Sequence, residues 1–585
     1  MNIHVSKYAQ FDLKKVHHPD NEIHLFTQYF LHPSPTRKKE IAHCLKTNYI
    51  NPYITRIHLL NEKIYTNEEL GGVDGQGTNK ITQTNIGKRL SFKDIFAYIR
   101  INCISGYCLF TNADIFFDST VQKIRYSNIS THKEVHAILR YEYKGGKLED
   151  SAIFGPRYDS QDTWIFHYSR KTEVSGTGVE TPLKIKECHE KALDIEFGRP
   201  GCDNKIAYMV NILGGEIIND PQFIKTYHYH TETQRNYTHK DALPPPYTLI
   251  LPAGFNPYEM VPSLGIDITT TIQSTNGFQQ MRFDDNDRLY NYIQGKLERG
   301  EKFVLPRISG HENNYAFFGK IIQSNIANGV TPVVPENIQS YLRDTIPIMK
   351  RNAGIRISGI DSMVQYSNLY MSAFENCDMY GGWESWGHYI PHIAHSHEYV
   401  KRTFFKKQIY WSFALDIFHY IYGRPFTTAM RGKRILIVSP FCDSIRAKAE
   451  PAERVRIYDG VDLFPDCSFV FIKPPVTNGD NHSEEFGVEL SRFCARLDEL
   501  RGKYDIALLS CGGYANPIAN YIYENHGASA IYVGGVLQMY FGIYGVRWMK
   551  ERPEVLKLFM NEHWTRPGSG EKPANFSSIE GGCYW

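Results

Sequence analysis

The sequence predicts an α/β protein of two domains, and three observations predict it. Buried-strand patterns alternate with helical segments between residues 23 and 111, which argues for a layered unit with a mostly parallel sheet. The same alternation returns after Gly432 in four short apolar runs, a Rossmann-like lobe. Between the two stretches lies Pro244-Pro245-Pro246, a cluster typical of a chain leaving a domain. A chain of 585 residues is also too long for one core, at roughly 100–200 residues per domain. The expected organisation is a tail over 1–20, a first domain over 21–243, a linker over 244–280 and a second domain over 281–585.

The elements of the first half follow in order. IHLFTQYF (23–30) reads as a buried strand, 34–47 as an amphipathic stretch and ITRIHLL (54–60) as a second strand, followed by Asn61-Glu62 and the glycine-rich 71–77. A short strand at 81–85 precedes a helix over 91–102 with Ser91 as its N-cap. YCLFT (107–111) is an apolar strand ending in Asn112-Ala113-Asp114, with Asp118 four residues beyond Asp114. A Gly/Pro turn then presents Asp203 and Asn204 at a helix over 204–213 that stops at Gly214-Gly215, and a strand runs into His228 and His230.

In the second half, helical periodicity over 288–298 leads to a strand at 302–306 and the turn PRISGHENN, which carries Arg307 and Glu312. An aromatic, mostly helical region reaches about Phe426, with a short strand at 355–360 before Asp361. RILIVSP, SFVFIKP, YDIALLS and SAIYVGG are then strands, with a helix over 484–500 and a second one opened by Cys511-Gly512-Gly513. The tail ends on Cys-Tyr-Trp and reads as docked.

Composition removes several classes. With 65 basic and 63 acidic residues the net charge is +2, which argues against a nucleic-acid protein held by a broad basic field. No apolar run approaches the ~18–20 residues of a membrane helix. The eleven cysteines are scattered, with no Cys-x-x-Cys, and read as reduced thiols of a cytoplasmic protein. No G-x-S-x-G hydrolase elbow occurs, and Ser439-Pro440 stands after Val438 where a dinucleotide fingerprint would begin.

Three pieces of the first half carry chemistry. Asp114 at a strand's end can hold Mg2+ or Mn2+ against a diphosphate, although an Asp there is also an ordinary turn residue. Gly198 and Gly201 allow close backbone approach, and Asp203 is a general base or a plain helix cap. His228 and His230, two apart on a strand, face the same way, as metal ligands or as a satisfied pair. In the second half Gly512-Gly513 and Gly534-Gly535 follow strands, where backbone N–H groups favour phosphate and tight packing equally favours glycine. GGWESWGH, with Trp383, Glu384, Trp386 and His388, reads as a sugar-stacking platform or an aromatic core cluster.

Taken in this order, YCLFTNADIFFD (107–118), SQDTWIF (160–166), FGRPGCDN (197–204) and FIKTYHYH (223–230) resemble a GT-A-type glycosyltransferase over the first ~240 residues. The resemblance implies a metal (Mn2+ or Mg2+) on Asp114 and His228, with Asn112 where that family commonly carries a first Asp. It implies Asp203 as base, Gly198 in the donor loop, and Asn61 and Glu62 beside the nucleotide. Such an enzyme moves a sugar from a nucleotide-diphosphate-sugar donor to a hydroxyl of a glycan or glycoprotein; one base opposite the leaving group implies inversion.

Residues 281–585 resemble, more distantly, a GT-D-type glycosyltransferase domain. Arg307-Ile308-Ser309-Gly310-His311-Glu312 is similar to that family's early Arg-Phe-Gly-Asp-Gly-Glu-like motif, with one carboxylate missing. Ser510-Cys511-Gly512-Gly513 and Val533-Gly534-Gly535 are similar to its later glycine turns. The resemblance implies Glu312 in catalysis and Arg307, Gly512, Gly513 and Gly534 on the donor. The expectation is therefore a bifunctional transferase; the alternative is one active domain joined to a module that binds glycan, sugar nucleotide or partner.

Overall fold

The computed structural model describes Tyr8 and residues 22–73, 80–169, 183–232, 241–243, 247–255, 279–328, 336–382, 391–419, 421–422 and 424–585. The proline cluster, most of the expected tail and linker, residues 74–79 and the 383–390 platform lie outside these residues. The chain divides into two compact units, Met1–Met281 and Arg282–Trp585.

In the first unit, strands β1 (Ile23–Thr27), β2 (Arg56–Asn61), β3 (Ile81–Asn85), β4 (Gly106–Thr111), β6 (Glu134–Ile138), β9 (Thr163–Tyr168) and β10 (Glu216–Ile218) form one sheet in the order β10-β6-β9-β4-β1-β2-β3. Its pairs are parallel except those of β9, which runs antiparallel to both β4 and β6. β1 and β4 are buried along their whole length, as continuous apolar runs covered on both faces must be. Helix α1 (Pro35–Ile50) begins at Ser34, with Pro35 at the position that lacks a helical acceptor anyway. Helix α2 (Phe92–Ile101) starts on a reciprocal capping box, Ser91 with Asp94, and buries Phe92, Ile95, Phe96 and Ile99 on one stripe. Ser91→Ala is expected to cost about 1 kcal/mol of stability, read as a lower denaturant midpoint at unchanged slope.

A second sheet, β5 (Ile115–Phe117), β11 (Thr226–Tyr229), β7 (Tyr141–Tyr143) and β8 (Ala152–Ile153), lies in the order β5-β11-β7-β8. It continues directly from the carboxyl ends of β4 and β6. Helix α3 (Cys202–Ile212) is buried almost throughout. Residues 247–253, expected in the linker, instead run through this unit: Thr248 N–H donates to the Asn204 carbonyl, Ile250 N–H to Tyr158 and Ala253 N–H to Asn219. Leu249, Ile250 and Leu251 are buried there. Their apolar run YTLILPA was the available signal.

The second unit centres on an all-parallel sheet of β12 (Val304–Leu305), β15 (Arg434–Val438), β16 (Ser468–Ile472), β17 (Ile506–Leu509) and β18 (Ser529–Tyr532), in the order β12-β18-β17-β15-β16. A parallel pair, β13 (Met379–Gly382) and β14 (Gln408–Trp411), is joined to the residues after β12 by a bridge between Gly381 and Arg307. The helices include α4 (Gln279–Glu298), α5 (His311–Ala327), α6 (Glu336–Ile348), α7 (Ile360–Asn376) and α8 (Pro391–Thr403). The strand expected at 355–360 is not one: residues 355–359 lie outside any strand, Ile360 opens α7, and Asp361 sits in its first turn. The carboxyl tail is docked, with Tyr584 against Gly535 and Gly545 and Trp585 edge-on to Phe441.

Candidate functional site

Sheet register assembles the site of the first unit. Thr163 of β9 lies opposite Thr111 of β4 and also opposite Ile138 of β6. Because β9 is antiparallel, the residue before it falls on the same edge as the residues after β4 and β6. That edge therefore carries Asp162, Asn112 and Arg140 together. Asn112 donates from Nδ2 to Asp162 Oδ1 at 3.1 Å, and Arg140 pairs with Asp162 Oδ2. In the adjoining sheet His228 is in register with Ile115 on one side and Glu142 on the other, and Tyr229 N–H donates to the Asp114 carbonyl at 2.9 Å. His228 is thereby fixed beside the Asp114 side chain.

The resulting donor set is compact. His228 Nε2 lies 3.2 Å and His230 Nδ1 3.7 Å from Asp114 Oδ2, and the ligand atoms of all three residues fall within 4.8 Å of one another. A coordination sphere with bonds of about 2.0–2.2 Å has neighbouring donors roughly 3.0–3.5 Å apart; the Asp114–His228 separation matches that, His230 lies slightly beyond it, and the three together could hold a divalent ion. His228 Nδ1 faces Glu142 Oε2 at 3.4 Å. That contact leaves Nε2 turned to the Asp114 side, the arrangement in which a carboxylate orients a metal-binding imidazole. The Nε2 atom of His230 is buried with no hydrogen-bond partner among the described residues.

Electrostatics separates the groups. Burial would raise the Asp114 carboxyl, and His228 and Arg37 beside it outweigh that and hold it well below the usual range. Burial alone would lower His228; Asp114 reverses this and the imidazole titrates above its ordinary value. Glu142, half-buried but hydrogen-bonded by His228 and beside Arg140, is held at about 2. Asp203 goes the other way. Burial first, and the Asp162 charge second, push it up to about 8, against the help of Gln161 N–H and Arg140. Its Oδ2 accepts from Gln161 N–H at 3.4 Å and its Oδ1 from the Cys202 thiol at 3.5 Å. Next to it, the Asn204 amide is buried with neither atom hydrogen-bonded among the described residues, the condition of a group that waits for water or ligand.

The remaining residues of this half divide. Gly198, at φ +68, sits where a Cβ would lie 3.0 Å from Arg89 and 3.9 Å from Asn112, which brings its loop to the same edge. Asn61 is a correction: its side chain is fully buried and is used within the fold, accepting from Tyr29 N–H at 2.8 Å and donating to Gln83 at 3.3 Å, so it ties β2 to its neighbours. Glu62 is exposed beyond it. Asp118 caps the turn at 119–126 through Thr120 N–H and accepts from the Tyr227 hydroxyl at 3.2 Å. Arg37, Arg140, Glu142 and Asp162 carry much of the site and were not singled out from sequence.

No protein-family model and no curated protein matches this sequence. Among solved structures the chain is similar to a mannosyltransferase, PcManGT from Pyrobaculum calidifontis, in complex with GDP-Man and Mn2+. That likeness has 9% identity and a TM-score of 0.25 and covers 37% of this chain and 58% of the other. It is also similar to GalNAc-T7 with UDP, GalNAc and Mn2+, at 11% identity and a TM-score of 0.25, over 37% of this chain and 45% of that one. The chain thus spans about half the length of these structures, and at such values neither likeness assigns a fold or an activity.

In the second unit Arg307 follows β12. Its Nη1 donates to the Val533 carbonyl at 3.0 Å and its guanidinium lies 4.4 Å from the Tyr532 ring. A Cβ on Gly534 would come within 2.4 Å of Arg307 Nη2, so this glycine makes room for the arginine. Gly512 and Gly513 are also closely packed. A Cβ would lie 2.9 Å from the Ala353 carbonyl oxygen in the first case and 2.4 Å from Ile355 Cγ1 in the second, so close packing against 353–355 accounts for both. Gly513→Ala is expected to destabilise by about 1–3 kcal/mol through overpacking, visible in melting, without altering ligand binding by the first unit. Glu312 stands in the first turn of α5; burial raises its carboxyl, opposed by its own N–H, His311 and Arg307.

Proposed function

We propose that the first unit is a divalent-metal-dependent glycosyltransferase that moves a sugar from a nucleotide-diphosphate donor to a hydroxyl of a glycan or glycoprotein. The observation that carries this reading is the pairing, at one end of a largely parallel sheet, of an Asp114–His228–His230 donor set with a separate, half-buried carboxyl, Asp203, whose proton affinity is raised. Asp114, His228 and His230 would hold Mn2+ or Mg2+, with Glu142 orienting His228. A bound ion there supplies positive charge against the departing diphosphate.

The chain's own groups do the rest. Arg140 and Asn112 hold the Asp162 carboxylate in place, and its charge, after burial, raises the proton affinity of Asp203, as a base that works near neutrality requires. Asp203 takes the acceptor proton as the hydroxyl oxygen attacks the anomeric carbon; the bond from that carbon to the diphosphate breaks, and the electron pair leaves with the diphosphate. A base opposite the leaving group gives inversion. The test is turnover of a panel of nucleotide sugars by the full chain with Mn2+, with the product anomer read by NMR. Release of nucleoside diphosphate with an inverted product supports the reading; a retained configuration excludes the single displacement.

For the second unit the packing favours a binding role over a second turnover site. The glycines expected to cradle a donor pack closely against Ile355, the Ala353 carbonyl and Arg307. Glu312→Ala is then expected to leave donor turnover intact.

A further inference from the structure

One cation of the first unit has no part in the transfer described above. Arg37 is the third residue of α1, where the helix dipole favours acidic side chains and the first turn carries none. Its buried guanidinium donates from Nη2 to Asp114 Oδ2 at 2.7 Å. From Nη1 it donates to Glu40 Oε2 at 2.5 Å and to the Tyr229 carbonyl at 3.0 Å. Glu40 in turn accepts from Thr231 N–H at 2.8 Å and from its hydroxyl at 2.5 Å. Arg37 is therefore clamped between α1 and the segment that carries His228 and His230. It also shares an acceptor with them, because all three residues converge on one oxygen, Asp114 Oδ2, at 2.7, 3.2 and 3.7 Å.

We propose that Arg37 is the resident counter-cation of the metal site: it holds Asp114 Oδ2 in the metal-free protein and gives that oxygen up when a divalent ion binds. The proposal rests on the metal reading of Asp114, His228 and His230. Its physical basis is competition. A charge-assisted bond from a guanidinium and a metal bond both draw on the charge of the same oxygen. Two cations on one partly buried oxygen also repel each other, with less screening than in open solvent. Glu40 supplies the second half of the device. It already accepts from Arg37, so a guanidinium released from Asp114 keeps an anionic partner and is not stranded. Metal affinity is then set by the release of Arg37 from Asp114 while it keeps its bond to Glu40. The negative diphosphate of a donor, by relieving the repulsion between the two cations, would make metal and donor bind more tightly together than apart.

The test is Mn2+ binding to the full chain, read by the paramagnetic resonance of free Mn2+ and by calorimetry, without any turnover. Arg37→Gln, which keeps size and hydrogen bonding but removes the competing charge, is expected to bind Mn2+ at least about tenfold more tightly, the worth of roughly one charge-assisted bond. Arg37→Lys, which keeps the charge, is expected to stay within about threefold of wild type. Glu40→Gln leaves Arg37 in place but weakens its retreat, and is expected to bind Mn2+ several-fold more weakly; this variant decides the matter if Arg37→Gln does not fold. Wild-type binding with no gain in Arg37→Gln, or with no loss in Glu40→Gln, overturns the counter-cation while leaving the metal site standing. Absence of Mn2+ binding in wild type and in Arg37→Gln alike overturns the metal reading and this proposal with it.

Discussion

Asp114→Asn lowers metal-dependent release of nucleoside diphosphate by about 100-fold or more, because it removes the anionic member of the donor set and leaves two imidazoles to hold the ion. The substitution does more than remove a ligand. Asp114 Oδ2 is the acceptor for Arg37 and His228, both buried. An amide in its place leaves those groups facing a neutral partner, and breaking a buried ion pair from one side costs about 3–5 kcal/mol. The variant is therefore expected to melt earlier as well as to lose Mn2+ binding. His228→Gln separates the two effects: it removes one ligand but leaves the Arg37–Asp114 pair intact, so metal affinity falls with a smaller loss of stability. The same pair of measurements on Asp118→Asn serves as a control, since that carboxylate is a cap on Thr120 and is expected to leave Mn2+ binding unchanged.

Asp203→Asn is expected to lower transfer by about 100- to 10,000-fold, the range for removal of a general base, with donor and metal binding preserved. Its pH behaviour identifies the role. With its carboxyl pushed up to about 8 by burial and by Asp162, the basic form accumulates only as the pH rises towards that value. The transfer rate of the wild-type protein should climb through pH 7 and level off above about 8. In Asp162→Asn the neighbouring charge is gone, and the limb moves to lower pH. Stability carries the opposite sign. In the unfolded chain Asp203 loses its proton near 3.8, whereas in the fold it does so near 8. Between those values the folded state binds the extra proton, so its stability falls as pH rises through that window. Asp203→Asn keeps a neutral group there at every pH. It should therefore flatten the pH dependence of the melting temperature and raise that temperature at pH 8, even as it removes activity.

How much of this was legible in the sequence depended on the range of the interaction. Local chemistry read well. Ser91 caps α2 because its side chain and Asp94 satisfy each other within one turn, and the apolar run 107–111 makes a buried strand wherever it lies. The Asn112-Ala113-Asp114 end and the two-apart His228 and His230 needed only strand periodicity to face one site. The groups that hold these residues did not read. Asp162 reaches Asn112 because β9 runs antiparallel between β4 and β6, and Glu142 reaches His228 because β7 and β11 are in register. Neither pairing leaves a trace at short sequence range. The signals that existed were weak: an Asp just before the apolar run TWIFHY, and a Glu inside the alternating Tyr-Glu-Tyr.

Asn61 shows the converse. A polar residue at a strand's end looks like a ligand group, yet its amide is consumed in joining β2 to β3 and to the loop after β1. The glycine pairs of the second unit have a structural use as well. Glycine marks a close approach, and at Gly512, Gly513 and Gly534 the approaching group belongs to the protein itself.

The central claim is that the Asp114–His228–His230 set holds a cation that in turn holds a diphosphate. It is tested most directly by calorimetric binding of a panel of nucleoside diphosphates to the full chain, with Mn2+ or with chelator, in wild type and Asp114→Asn. The account predicts that at least one nucleoside diphosphate binds with Mn2+, and that its affinity falls at least about tenfold both with chelator and in Asp114→Asn. Equal binding with and without metal, or undiminished metal-dependent binding in Asp114→Asn, would contradict it.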